Sequence, residues 1–115
     1  MRIGTVRERK DGEQRVGLTP EGAFALAVRG HQVYFERGAG ERSGHSDAAY
    51  VTSGAVPVDG AAEVWETCDL VVKVKEPVES EYGYLRPECV LFTYLHLAAE
   101  RELTERLRAS GCTSL

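Results

Sequence analysis

The chain has 115 residues, a formal charge of -4, and a composition of 43% hydrophobic and 28% charged residues. That describes one soluble domain large enough for a real core, and it gives no general affinity for nucleic acid, since no stretch forms a basic stripe. No apolar run approaches the ~20 residues needed to span a bilayer.

Met1-Arg2-Ile3-Gly4 enters a first strand over residues 2–6 directly, leaving no room for a signal peptide, so a cytoplasmic location is expected. A polar loop follows over 7–14. Thr19-Pro20-Glu21 is a helix start: a threonine cap, a proline in the first turn and an acid beside the positive dipole end. Ala23, Phe24, Ala27 and Val28 supply the apolar face of that helix, and Gly30 its stop. Residues 32–37 alternate as a second strand. Ser46-Asp47 caps a short helix ending near Gly54, and residues 56–58 form a weak strand demoted by Pro57.

A short helix over 61–67 carries Val64 and Trp65. Residues 70–74 and 90–94 read as buried strands, the first ended by Pro77. An amphipathic helix spans 100–110, with Leu103 and Leu107 inward, a Glu102/Arg106 pair at i,i+4, and Gly111 as terminator. Residues 112–115 begin one more strand. Strands alternating with helices imply an α/β fold with a mostly parallel, doubly wound sheet and helices on both faces.

Such sheets bind ligands at the carboxyl ends of their strands. Lys75 ends one buried strand, Tyr94 and His96 end another, and Arg15 follows the first. A guanidinium suits bidentate capture of a carboxylate, a lysine polarises a carbonyl, and a histidine titrates near neutrality and so exchanges protons. Arginine, lysine and histidine on one rim make a receptor for a small carboxylic acid with a neighbouring carbonyl. Taken singly, each has a plainer reading: Arg15 as a solvated loop residue, His96 as a core histidine. Period-two alternation puts Lys73 on the same face as Lys75, and Lys73 reads best as a wet strand end that neutralises Glu76.

Gly38-Ala39-Gly40-Glu41-Arg42-Ser43-Gly44 after a strand, with Asp59 about twenty residues on, imitates a dinucleotide fingerprint. The third glycine of that motif would fall on Ser43, and the following segment is too short for a pyrophosphate-binding helix, so a structural turn is expected. There is no Walker loop. Cys68, Cys89 and Cys112 are odd in number and lack Cys-x-x-Cys spacing, which favours reduced thiols over a disulfide framework or a zinc site. His31 and His45 pair with no cysteine or carboxylate at metal spacing, so no metal is expected.

Several segments together resemble the amino-terminal substrate domain of the alanine dehydrogenase and nicotinamide nucleotide transhydrogenase family: Glu13-Gln14-Arg15-Val16-Gly17-Leu18-Thr19-Pro20, Arg29-Gly30-His31-Gln32-Val33, Gly38-Ala39-Gly40, Lys73-Val74-Lys75-Glu76-Pro77 and Leu91-Phe92-Thr93-Tyr94-Leu95-His96-Leu97-Ala98. The match runs along essentially the whole chain, and Lys75 with His96 places it on the dehydrogenase branch. Saccharopine dehydrogenase is a more distant likeness.

The resemblance implies that Arg15 binds the substrate carboxylate and Lys75 polarises the carbonyl or imine. It implies His96 as general acid/base, with Tyr94 shaping the pocket. It also implies NAD on a separate Rossmann domain, which contributes a catalytic aspartate, so no cofactor-binding residue is assigned within these 115. The expected function is the substrate-binding half of an enzyme that interconverts alanine with pyruvate and ammonia, with no hydride transfer by this chain alone. A homo-oligomer or a separate nucleotide-binding domain is the expected partner, because the family's first domain is completed by later chain. Two other classes share the residues: a nucleotide-independent lyase or hydrolase acting on a 2-oxo acid, and a non-catalytic carboxylate-binding module.

Overall fold

Short β-branched and aromatic runs form the strands, and the pairings among them are all parallel. The computed structural model describes residues 1–94 and 109–114, with Tyr94 and Ser114 as backbone only. Among the described residues there are six strands: β1 Arg2–Thr5, β2 Gln32–Glu36, β3 Val56–Val58, β4 Leu70–Lys75, β5 Val90–Tyr94 and β6 Thr113–Ser114. They form one sheet in the order β3-β2-β1-β4-β5-β6, which is doubly wound about β1. The α/β architecture expected from the alternation of elements is therefore the one observed. Pro57 is tolerated because β3 is an edge strand.

Three helices among the described residues cover the two faces. Helix α1, Pro20–Val28, starts where Thr19 accepts from the Gly22 amide through its hydroxyl, and it ends before Gly30, whose φ of 91° only glycine adopts cheaply. Helix α2, Asp47–Thr52, is capped by Ser46 in the same way. These two helices pack on one face through Ala23, Tyr50 and Ala55 against Val33 and Phe35. Helix α3, Ala61–Thr67, lies on the other face, where Val64 and Trp65 meet Val6, Val71 and Leu91.

One expectation about α1 is corrected. Phe24 and Val28 are exposed, and the buried stripe is Ala23 with Leu26, which packs against the same cluster. The turn after α2 approaches this helix closely: a methyl on Gly54 would sit 3.3 Å from the Ala27 Cβ. The helix expected over 100–110 lies outside the described residues except for its last two, which are helical before Gly111 turns with φ 72°.

The β1–α3 contact sets how closely the second layer approaches the sheet. A Cβ on Gly4 would lie 2.5 Å from the Cys68 sulfur and 2.6 Å from a Val64 methyl. Gly4→Ala is predicted to push α3 off the sheet and destabilise the fold by about 1–3 kcal/mol, the usual cost of overpacking. Urea denaturation checks this, and an unchanged midpoint would mean that α3 is not seated against β1.

Candidate active site at the carboxyl rim

The sheet reverses direction of winding between β1 and β4, so the crevice of the fold lies beyond their carboxyl ends. A cleft of about 420 Å³ opens there, lined by Arg15 and Gly17 from the loop after β1, by Val72, Lys73 and Val74 from β4, and by Phe92 and Thr93 from β5. The loop lies down on β4 because residue 17 has no side chain. A Cβ there would be 2.5 Å from the Val72 carbonyl oxygen and 2.8 Å from the Lys73 Cα.

Ion pairs and hydrogen bonds fix this long loop, residues 6–19, along most of its length. Glu36 at the end of β2 accepts from the Arg7 amide at 2.8 Å and from both terminal nitrogens of Arg9 at 2.9 and 2.6 Å. Lys10 donates to Glu76 at 2.6 Å. Ser43 donates to the Gln14 carbonyl at 2.7 Å, and Tyr50 to the Leu18 carbonyl at 2.7 Å. The residue that breaks the glycine fingerprint is thus a brace for the Arg15 loop.

Arg15 itself is held by Glu13. The Glu13 carboxylate takes the Arg15 amide at 2.8 Å, Nε at 3.0 Å and a terminal nitrogen at 2.9 Å. The side-chain bonds to Arg15, then the one to its amide, hold the Glu13 carboxyl down at about 2, with Lys75 adding a smaller favourable field. The Arg15 side chain is 70% exposed while Glu13 is buried, so the guanidinium faces outward with its plane set from behind.

Two readings of β4 are corrected. Lys73 is not a wet strand end: its side chain is 1% exposed, with Nζ 3.3 Å from Glu8 Oε1 and 3.3 Å from Glu81 Oε2. Glu76 is neutralised by Lys10 instead. Nor do Lys73 and Lys75 share a face, because β4 carries a bulge. Val72 pairs with Phe92 and Lys75 with Tyr94, so β4 advances three residues while β5 advances two. Lys75 therefore takes the register side of Val72 and Phe92, the side that lines the cleft.

Tyr94 ends β5 opposite Lys75, and His96 lies outside the described residues. The sequence did not single out Thr93, which lines the cleft and whose buried hydroxyl has no partner among the described residues. Glu13, Glu8 and Glu81 were also passed over. Glu13 had a visible signal, an acid two residues before the candidate arginine. Glu8 and Glu81 had none, since each meets Lys73 only through the fold.

A second cleft of about 420 Å³ is lined by Arg7, Glu8, Arg9, Lys10, Asp11, Gly12 and Arg42. Its Arg9 and Lys10 are engaged by Glu36 and Glu76, as Arg15 of the rim cleft is by Glu13. The Gly38–Gly44 loop does not fit a dinucleotide. It closes in a 3₁₀ turn at Glu41–Ser43, the next helix has six residues, and the Tyr50 ring lies where a Gly40 side chain would be, 2.7 Å from that Cβ position. Among the described residues there is no cluster of three or more metal-ligating side chains. No helix among them is long and apolar enough to cross a membrane.

Comparison with known proteins agrees along the whole chain. Residues 4–115 match the family model described as alanine dehydrogenase/PNT, N-terminal domain. The alanine dehydrogenase of Mycobacterium tuberculosis is 49% identical over all 115 residues, and the chain spans 31% of its length. A solved L-alanine dehydrogenase superposes with a TM-score of 0.97 at 46% identity, covering 100% of this chain and 32% of that one. A transhydrogenase from Sinorhizobium meliloti superposes with a TM-score of 0.90 at 25% identity, covering 99% of this chain and 34% of that one. The chain belongs to the alanine dehydrogenase/PNT N-terminal domain family.

Proposed function

We propose that the chain is the substrate-binding and acid/base half of an alanine-dehydrogenase-type oxidoreductase, which converts L-alanine, NAD and water to pyruvate, ammonia and NADH. The observation that carries this reading is the rim cleft lined by the Glu13-braced Arg15, with the bulge turning Lys75 to the register side of Val72 and Phe92, which also line it. Arg15 binds the carboxylate of the amino or 2-oxo acid. Its pairing with Glu13 leaves that pair neutral, so the charge of Lys75 gives the cleft its net attraction for an anion. Lys75 polarises the carbonyl or imine, and its ammonium lies where charge develops on that oxygen or nitrogen.

His96, two residues beyond β5, acts as general acid/base, and Tyr94 shapes the pocket. NAD is supplied by a separate nucleotide domain, because the glycine-rich loop of this chain does not fit it. A homo-oligomer or that separate domain covers the rim, consistent with Phe92 being 54% exposed beside the cleft. The sites of catalysis are then assembled from two domains.

Three measurements test the reading. The 115-residue chain alone, given alanine and NAD, is expected to form no NADH above a blank, and turnover by the purified chain would reject the division of roles. Arg15→Ala is expected to weaken pyruvate binding by roughly 1.5–3 kcal/mol, with Arg15→Lys failing to restore it fully, since a point charge lacks the planar fork. Unchanged affinity in both variants would make Arg15 a surface charge.

The third concerns pH. Arg15 depresses Glu13 from its ordinary 4.5 to about 2. The stability from this pair is therefore complete above the ordinary value and is lost as pH falls toward about 2. Carboxyl carbon NMR should give a midpoint near 2 in the native chain and a higher one in Arg15→Ala. An ordinary midpoint in the native chain would show that the clamp is not formed.

A further inference from the structure

The bulge in β4 has a specific support. Inserting one residue into a parallel pairing removes local ladder bonds and leaves amides that need another acceptor. Here the Val74 amide donates to Glu8 Oε2 at 2.9 Å and the Lys75 amide to Glu8 Oε1 at 3.1 Å. The same carboxylate accepts from Lys73 Nζ at 3.3 Å, and Lys73 is flanked on its other side by Glu81. Glu81 in turn accepts from the Val78 amide at 3.1 Å, just after the strand ends.

Without the bulge, Val74 would pair with Tyr94, and Lys75 would fall on the face of Lys73, which carries Glu81 and the α3 core. With it, Lys75 takes the face of Val72 and Phe92. We propose that Glu8 is a positioning residue for Lys75: by accepting the two amides at the bulge it turns Lys75 out of the Lys73 face and toward the Arg15 cleft. The inference rests on the reading above that Lys75 meets a 2-oxo acid, and it assigns no contact between Glu8 and substrate.

The test uses the 115-residue chain, isotopically labelled, in four forms: native, Lys75→Met, Glu8→Gln and the double variant. Cross-strand backbone NOEs report register without any ligand. They should pair Lys75 with Tyr94 in the native chain and shift to Val74 in Glu8→Gln. Pyruvate titration then reads function. Lys75→Met should weaken binding roughly tenfold or more, the worth of a charge-assisted contact, and Glu8→Gln comparably. The double variant should be no weaker than Lys75→Met alone, because both changes remove the same interaction.

Retention of the Lys75–Tyr94 pairing in Glu8→Gln overturns the proposal, as does an additive loss in the double variant. Native affinity in Lys75→Met would instead defeat the functional reading, while the NOEs still decide the positioning role. Should Glu8→Gln not fold, Glu8→Asp keeps the charge beside Lys73 but is too short to reach both amides, and the same register shift is expected. If neither variant folds, Glu8 is a determinant of the fold and the positioning role is rejected.

Discussion

A lysine buried at the centre of a parallel sheet constrains everything around it. Desolvating an ammonium costs several kcal/mol even after relaxation, so Lys73 is compatible with the fold only if carboxylates arrive with it. Two do, from opposite directions in sequence: Glu8 out of the loop after β1, and Glu81 out of the 3₁₀ segment Glu79–Tyr84 after β4. Each then has other work that a hydrophobic replacement could not do. Glu8 satisfies the bulge amides and Glu81 the Val78 amide. The charge cluster ties the loop after β1 and the segment after β4 to β4 itself, which suits a site whose groups must hold their geometry.

Much of the fold was legible because it depends on local chemistry. The cap at Thr19, the stop at Gly30 and the edge position of Pro57 are decided by a residue and its immediate neighbours, and they are found where the sequence put them. The apolar face of α1 was misread, since spacing alone does not say which of two adjacent stripes faces the sheet. Ala23 and Leu26 pack on the Val33, Phe35 and Tyr50 cluster, and Phe24 and Val28 are exposed.

The site was legible in kind but not in arrangement. Arg15 and Lys75 were identified as rim residues, but period-two counting put Lys73 and Lys75 together, and one inserted residue separated them. A bulge between Val72 and Lys75 leaves no mark in single-sequence alternation, because valines and lysines keep alternating through it. Lys73 looked wet for a similar reason. Its neutralising acids are 65 positions upstream and eight downstream, and only the topology brings them to it.

The topology also explains why the crevice of a nucleotide-binding-like sheet can hold an arginine instead of a phosphate. In the dinucleotide version a short glycine turn leads from the first strand into a helix whose free amides face the pyrophosphate. Here residues 6–19 separate β1 from α1, and the Thr19 hydroxyl occupies one of those amides. One amide of that helix terminus is thus already occupied. The loop that replaces the turn carries Arg15, braced by Glu13 behind it, Ser43 beside it and Gly17 against β4. The charged group presented at this crevice is thus a guanidinium and not a row of backbone amides.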